Sequence, residues 1–534
     1  MMLNISLLAL TLWGGVLVEP FRIADHQPGH QQVYCCAAMA SDGHFAVAWI
    51  DSISSGDPFN PDDLELELFI RFFDRDGNPM TEAYKVTKLA DTSWIRHPCL
   101  EMDTAGNTIL LWEERKTQSK EEPSYVRFQR FAPDGSPVGS AHTLVARVLL
   151  GKHTQRPSPF DLSLNNNEEF VVTWCEVTPP YWELTCVWVQ RFDLEGYPED
   201  RAFLTHDIPG NYLLPFSFAR VALNDEGDLV VTWRDELNPD SVYQRFQVFD
   251  AADEPILSWR SRGHRLDDGM KWGSWAQPFW LDNDRFVAFW VKYLADIGMS
   301  GYGVMGRVFG HRGLASYPIR LVMSDTIVVG WGISRKKQFS VAFSSDGRFA
   351  ETHFRWWRQH NPDWMWGHPA GMLGEIRNNE PWRRTNLFKY TEPFGIDTTF
   401  KAIFVPAVGA CDDRIVWVYP HSAPDSTCEA WALITDWDMG VGVVEQPVSS
   451  VSPIKLEASI NRLSYDVSGS VTGEAKLTFY SVDGRRILEE TIKGKGIWTP
   501  SPPSSPPSSL PSGVYFARVE AESGSATGKV VVLH

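Results

Sequence analysis

Short apolar runs, most of them closed by a tryptophan, recur along the first 440 residues between turns rich in Asp, Asn and Gly. The clearest are Phe45-Ala46-Val47-Ala48-Trp49, Ile109-Leu110-Leu111-Trp112, Phe170-Val171-Val172-Thr173-Trp174, Leu229-Val230-Val231-Thr232-Trp233 and Phe286-Val287-Ala288-Phe289-Trp290. Runs this short, β-branched and aromatic and bounded by turn residues, read as strands rather than helices. A polar turn precedes each run, as at Ser41-Asp42-Gly43, Ala105-Gly106-Asn107 and Asp225-Glu226-Gly227. A second strand follows each, passing through Arg71-Phe72, Arg130-Phe131, Arg191-Phe192, Val248-Phe249 or Arg307-Val308-Phe309, in most units into another turn.

Trp49, Trp112, Trp174, Trp233 and Trp290 are spaced by 63, 62, 59 and 57 residues, so a unit of roughly 60 residues repeats. Two degenerate units follow, one around residues 327–347 and one around residues 414–434. The 127 residues from Trp290 to Trp417 hold about two periods, which gives seven units. Each unit has room for four short strands joined by tight turns. A four-stranded sheet cannot bury both faces alone, so the units must stack, and radial stacking gives a propeller. The predicted fold class is therefore all-β: an approximately seven-bladed β-propeller followed by a small Ig-like β-sandwich. An open β-solenoid is the alternative, but its repeats are normally shorter. The last unit lacks a fourth strand, and Pro20-Phe21-Arg22-Ile23-Ala24-Asp25 reads as a stray one. Completion of the last blade by this N-terminal strand would remove an exposed sheet edge. Over residues 20–440 the pattern resembles the propeller-type repeats of large exported bacterial proteins of unassigned function.

The expected domains are a signal peptide at 1–18, propeller repeats at 19–447 with an aromatic insertion near 354–390, and a C-terminal sandwich at 448–534. The apolar stretch of residues 5–18 has signal-peptide length, although no Lys or Arg precedes it. A buried strand is the competing reading. Near the C-terminus, Tyr480-Ser481-Val482-Asp483-Gly484-Arg485, Leu510-Pro511-Ser512-Gly513-Val514-Tyr515-Phe516 and Lys529-Val530-Val531-Val532 follow one another in strand-and-turn order. This ordering resembles the sorting domains of type IX secretion cargo and the Ig-like domain of the flagellar-hook-capping family. The resemblance implies a secreted or cell-surface protein that meets an export machinery through this domain. A Pro/Ser-rich loop at 499–511 interrupts the family pattern, and a plain structural sandwich is the alternative.

Composition narrows the function. A net charge of -18 disfavours nucleic-acid backbones and anionic lipid surfaces. Beyond the N-terminus no apolar run is long enough to span a membrane, so the mature chain is expected to carry no transmembrane segment. The 7 cysteines are too scattered for a disulfide framework. Cys175 and Cys186 flank a short turn and could face each other, while Cys36 and Cys99 hold equivalent places in adjacent units. No zinc spacing, nucleophile elbow, phosphate loop or sialidase-type Asp box occurs, so no cofactor, metal or catalytic residue is assigned.

Two constellations remain. Asp51, Glu114, Glu176 and Asp235 each lie two residues after the tryptophan, and Arg71, Arg130, Arg191 and Arg245 lie in the neighbouring strand. Their repetition reads as structural ion pairing, because an active site occurs once. The second constellation is an island of Arg355, Trp356, Trp357, Arg358, Trp364, Trp366 and Trp382 between units six and seven. Indole faces stack on sugar rings and guanidinium groups donate to hydroxyls, so these residues are the candidate glycan-binding loop over the propeller mouth. A hydrophobic plug or packing insertion is the structural alternative. The favoured function is a non-enzymatic, exported or surface-attached binding protein with a glycan or protein ligand. The alternatives are a polysaccharide-active enzyme with its site in the channel and a structural surface component. A pair of channel-facing carboxylates found once around the ring would favour the enzyme.

Overall fold

The computed structural model describes residues 15–25, 27–54, 64–88, 94–115, 124–148, 160–177, 185–199, 201–205, 219–238, 241–258, 263–266, 273–293, 302–325, 339–358, 364–385, 388–389, 394–397, 406–422, 427–438, 455–459, 462–466, 474–481, 486–499, 513–521 and 524–532. The chain divides into two units, residues 1–443 and 444–534.

In the first unit, seven antiparallel sheets follow one another along the chain. The first blade runs His30–Met39, Phe45–Ser54, Leu64–Phe73 and Tyr84–Lys88, each strand pairing with the next. First strands of the other blades are Trp94–Met102, Phe160–Leu164, Arg220–Leu223, Gly273–Trp280, Phe339–Phe343 and Ala407–Ala410. The first strands of most successive blades pack against each other and so form the innermost ring. This is a seven-bladed β-propeller. The last blade takes its fourth strand from the N-terminus: Val16–Arg22 pairs with Cys428–Thr435, with Phe21 opposite Ala432. The structure bears out the expected strand completion. Val16 to Val18, assigned above to a signal peptide, belong to this strand; residues 1–14 lie outside the described part.

Seven buried clusters, one at each blade junction, close the ring. Trp49 packs toward blade seven, and Trp112, Trp174, Trp233, Trp290 and Trp417 each pack toward the preceding blade. The pattern explains why one tryptophan recurs per unit: a four-stranded blade is sealed only by its neighbour. Blade six is the exception. Its second strand begins at Arg348, and counting from the turn glycine places His353 where the other blades carry tryptophan. Residues 327–331, where the sixth unit is expected to begin, lie outside the described part.

Trp290 and Trp417 are both fully buried, but they differ at the indole nitrogen. Trp417 Nε1 donates to Thr435 Oγ1 at 2.9 Å, whereas Trp290 Nε1 has no hydrogen-bond partner among the described residues. Trp417→Phe is therefore expected to cost about 1 kcal/mol more than Trp290→Phe in chemical denaturation, because it also leaves Thr435 unpaired. Equal costs would show that the indole hydrogen bond contributes nothing.

The recurring arginines join blades rather than closing the predicted pairs within them. Arg130 Nη1 reaches Glu195 of blade three at 2.9 Å, and Arg191 Nε reaches Asp253 of blade four at 2.7 Å. Arg71 Nη1 donates to the Ile23 carbonyl at 3.1 Å. Register is the reason. Arg71 lies opposite Val47, four residues and about 13 Å along the strand from Asp51. Only Arg245, opposite Trp233 and diagonal to Asp235, closes its predicted pair among the described side chains, at 2.9 Å. Glu114 pairs instead with Arg127 at 3.1 Å, and the Glu176 side chain lies outside the described part.

In the second unit, Lys455–Ser459, Arg462–Asp466 and Lys495–Trp498 form one sheet. Arg486–Lys493, Glu474–Ser481, Gly513–Ala521 and Gly524–Val532 form another in that order. Leu463, Leu477, Phe479, Trp498, Ala517 and Val519 fill a shared core, so the unit is a two-sheet sandwich. Residues 500–511 of the Pro/Ser-rich segment lie outside the described part. No helix among the described residues is long and apolar enough to cross a membrane.

Candidate functional site

One register position supplies the wall of the central channel. The residue opposite the one before the recurrent tryptophan is Cys36, Cys99, Asp161, Arg220 and Gln277 in blades one to five. The same position is Ser340 in blade six and Gly409 in blade seven. The blades are alike elsewhere in their second and third strands, yet this position differs in nearly every one. All but Gly409 line a cavity of about 240 Å³ on the propeller axis, which also touches the first strands of all seven blades.

Two bulges shape its entrance strands. Pairing shifts between Val33 and Cys36 in blade one and between Arg96 and Cys99 in blade two. At these bulges Tyr34 and His97 take left-handed backbone conformations, with φ of 55° and 53°. Bulky residues rarely occupy that region, and such strain gathers at functional sites. The two rings meet edge to face at 6.0 Å, and His97 Nε2 lies 3.7 Å from Glu113 Oε2 in the buried layer behind. A bulge re-aims the side chains beyond it, here Cys36, Cys99 and Glu101.

The polar wall comes from blades two to five. Asp161 is buried, and its Oδ2 accepts the Val221 backbone N–H at 3.0 Å. Gln277 also hydrogen-bonds its carboxylate, the Arg220 charge lies close by, and Cys99 Sγ is 3.9 Å from Oδ1. Burial pushes the Asp161 pKa up, while Arg220 and the backbone donors of Val221 and Leu162 oppose that shift. Glu101, two residues beyond Cys99 on the same strand face, is half-buried beside the open cavity yet deep in the ring. Its carboxyl makes no hydrogen bond or ion pair among the described residues. Burial pushes its pKa up to about 8, and the Asp161 charge adds to the rise. Glu101 and Asp161 are the only acidic residues in the seven first strands. The opposite wall, from blades five to seven, is apolar apart from the Ser340 hydroxyl: Phe279, Phe339, Val341, Pro406, Ala407 and Val408.

Burial raises the Cys35 thiol pKa to about 12 and raises those of Cys36 and Cys99 as well, so all stay protonated near neutral pH. Cys35, Cys36, Cys99, Cys411 and Cys428 are free thiols. Cys175 pairs in register with Val187, and Cys186 with Glu176, so those two cysteines do not face each other. No group of three or more His, Cys, Asp and Glu residues among the described ones could hold a metal ion.

The aromatic island is part of blade six rather than a loop between blades. Arg348–Arg358 and Trp364–Arg377 form one long hairpin, with Arg355 opposite His368, Trp356 opposite Gly367, Trp357 opposite Trp366 and Arg358 opposite Met365. Their side chains lie outside the described part, except that of Trp382. Trp382 is 40% exposed, and the Arg320 guanidinium of blade five lies 4.9 Å from the centre of its ring. Sequence reading passed over Glu101, Asp161 and Arg220. Aligning the units on the strand before each tryptophan, rather than on the tryptophan itself, exposes Asp161 and Arg220 at the position that does not repeat, with Glu101 two residues beyond it in blade two.

No family profile and no curated protein sequence matches this chain. Among solved structures, a protein of unknown function from Dyadobacter fermentans is similar at 11% identity and a TM-score of 0.41, over 78% of this chain and 98% of that one. An ulvan lyase of a new polysaccharide lyase family, bound to a GlcA-Rha3S saccharide, is similar at 8% identity and a TM-score of 0.42, over 80% and 96%. Bacillus subtilis levansucrase, in complex with oligosaccharides, is similar at 9% identity and a TM-score of 0.32, over 66% and 86%. Likeness at this level carries nothing about activity.

Proposed function

We propose that the propeller takes a carbohydrate into its central cavity, held between the polar wall of blades two to five and the apolar wall of blades five to seven. The two-sided lining carries this reading. A sugar ring presents hydroxyls at its edge and C–H groups on its faces, so it can meet Arg220, Gln277 and the carboxyls while lying against Phe279. The cavity of about 240 Å³ falls below the roughly 300–1,000 Å³ of drug-sized pockets, which fits one ring or a chain end rather than a polymer segment. The once-only carboxyl pair favours an enzyme over the purely binding protein expected from motif absence. The C-terminal sandwich, on its resemblance to sorting domains, serves as the export and attachment module and places the protein outside the cell.

Calorimetric titration of the full chain with methyl glycosides of neutral hexoses, N-acetylhexosamines and hexuronic acids tests the site. Phe279→Ala and Gln277→Ala are each expected to weaken binding tenfold or more, about 1.4 kcal/mol. The combined Trp356→Ala, Trp364→Ala, Trp382→Ala variant should bind normally. Loss of binding only in the tryptophan variant would move the site to the blade-six hairpin. No binding to any of these glycosides by the folded chain would overturn the carbohydrate reading.

A further inference from the structure

The first strands hold two acidic side chains in different circumstances, one hydrogen-bonded and one with no hydrogen bond or ion pair among the described residues. We infer that Glu101 is the proton donor, and Asp161 the base that activates water, in hydrolysis of a glycosidic bond at the end of a saccharide held in the cavity. The inference rests on the carbohydrate reading above and goes beyond it in assigning a reaction.

The geometry assigns the roles. Asp161 is fixed by the Val221 N–H at 3.0 Å and by Gln277, and it faces the charge of Arg220. Those donors stabilise its anion and hold it in one orientation. Glu101 is on the neighbouring blade, lines the same cavity and has no donor among the described residues to stabilise an anion. Asp161 has donors that stabilise its anion and Glu101 has none among the described residues, so of the two neighbouring carboxyls Glu101 is the one suited to keep its proton. Burial of Glu101 supports that placement, raising its pKa to about 8. Other acids near the blade interfaces are differently placed: Asp235 and Glu114 are ion-paired to arginines within their own blades.

The step balances with water as the only co-reactant. Glu101 gives its proton to the glycosidic oxygen as the bond from that oxygen to the anomeric carbon breaks. Water adds to the anomeric carbon, and its proton passes to the Asp161 carboxylate. Transfer of that proton back to Glu101 through solvent restores the starting state. The products are a reducing sugar and the freed alcohol. Phe279 and the apolar wall limit water on the other side of the ring.

Leaving-group dependence separates an acid from a structural carboxyl. The full chain would be assayed on α- and β-linked 2,4-dinitrophenyl and 4-methylphenyl glycosides of the sugars that bind in calorimetry, with reducing-sugar release from polysaccharides read alongside. A dinitrophenolate departs without a proton, so Glu101→Gln should keep that substrate within about tenfold and lose about 10²–10⁴-fold on the 4-methylphenyl glycoside. Asp161→Asn should lose both substrates while retaining measurable sugar binding. If Asp161→Asn fails to fold, the Glu101→Gln leaving-group contrast and the alkaline limb of the wild-type pH profile decide alone. Equal losses of Glu101→Gln on both substrates would overturn the proton-donor role. Sugar binding without turnover of any glycoside or polysaccharide would overturn the catalytic inference and leave the binding reading standing. Absence of binding would remove both.

Discussion

Removal of residues 1–23 is expected to abolish cooperative folding of the propeller. The segment Val16–Arg22 supplies the outer strand of blade seven, and the residue after it is committed more deeply. Ile23 is fully buried in the cluster that seals blade seven to blade one. Its N–H donates to the Ala430 carbonyl at 3.0 Å, and its own carbonyl accepts from Arg71 at 3.1 Å. Arg22 Nε lies 3.2 Å from the buried Glu429 carboxylate, and the Phe21 ring packs 5.9 Å from that of Phe73. Even the turn of blade one is shaped around this strand. Gly77 has a φ of +79°, and a Cβ there would come within 2.9 Å of Phe21. Loss of the strand strips a partner from the half-buried Arg71 and from the buried Glu429, at about 1–3 kcal/mol each. It also removes a core aliphatic side chain, worth about 2–5 kcal/mol, and opens a sheet edge. Together these losses approach the roughly 5–15 kcal/mol that holds a typical domain folded. Guanidinium denaturation and light scattering check the result: the truncated chain should show a broad transition and aggregate. A sharp transition at the full-length midpoint would mean that the ring closes without this strand. The milder Ile23→Ala should lower stability by about 2–5 kcal/mol without loss of cooperativity.

The propeller was legible in the sequence because its determinants are local and repeated. One tryptophan per unit seals one blade junction, and a turn glycine or its substitute fixes the strand before it. Strand completion was legible for a related reason, since a segment resembling a fourth strand stood apart from any unit of its own. Blade six is offset from the unit expected around residues 327–347 because its tryptophan position holds His353, which leaves no tryptophan to mark its second strand, Arg348–Arg358. The partners of Arg71 and Arg130 were misread because spacing along one strand does not report how far that strand is offset from its neighbour. The candidate site stayed hidden for a deeper reason. Beyond the matching Cys36 and Cys99, the residues Asp161, Arg220, Gln277 and Ser340 share no type, and each is unremarkable in its own strand. Only the ring brings them together, and a search for repetition passes over the one position that does not repeat.

Glu101→Gln is expected to stabilise the protein, and to do so increasingly as the pH rises from about 5 to 8. The carboxyl titrates near 4.5 in an unfolded chain and is raised to about 8 in the folded one. Below the unfolded value both states carry the proton, so the group contributes nothing to stability. Between the two values the unfolded chain ionises while the folded one keeps its proton, so wild-type stability falls as pH rises across that window. Above about 8 both states are ionised and the full penalty is reached. Glutamine has no charge to desolvate, so the variant should not share this fall. Water in the cavity reduces the effect, and about 2 kcal/mol at pH 7 is a reasonable scale from the conversion of a pKa shift into free energy. Urea midpoints of the two proteins measured from pH 4 to 9 check this: the curves should coincide at pH 4 and separate steadily toward pH 8. A variant less stable than wild type at every pH would make Glu101 a structural hydrogen-bonding group. That outcome would also count against its role as proton donor, because a donor must be free to release its proton to the ligand. A variant that gains stability while losing the 4-methylphenyl glycoside would have the opposite meaning. It would mark Glu101 as a group held at a cost to the fold for the chemistry of the cavity, the usual trade between stability and activity.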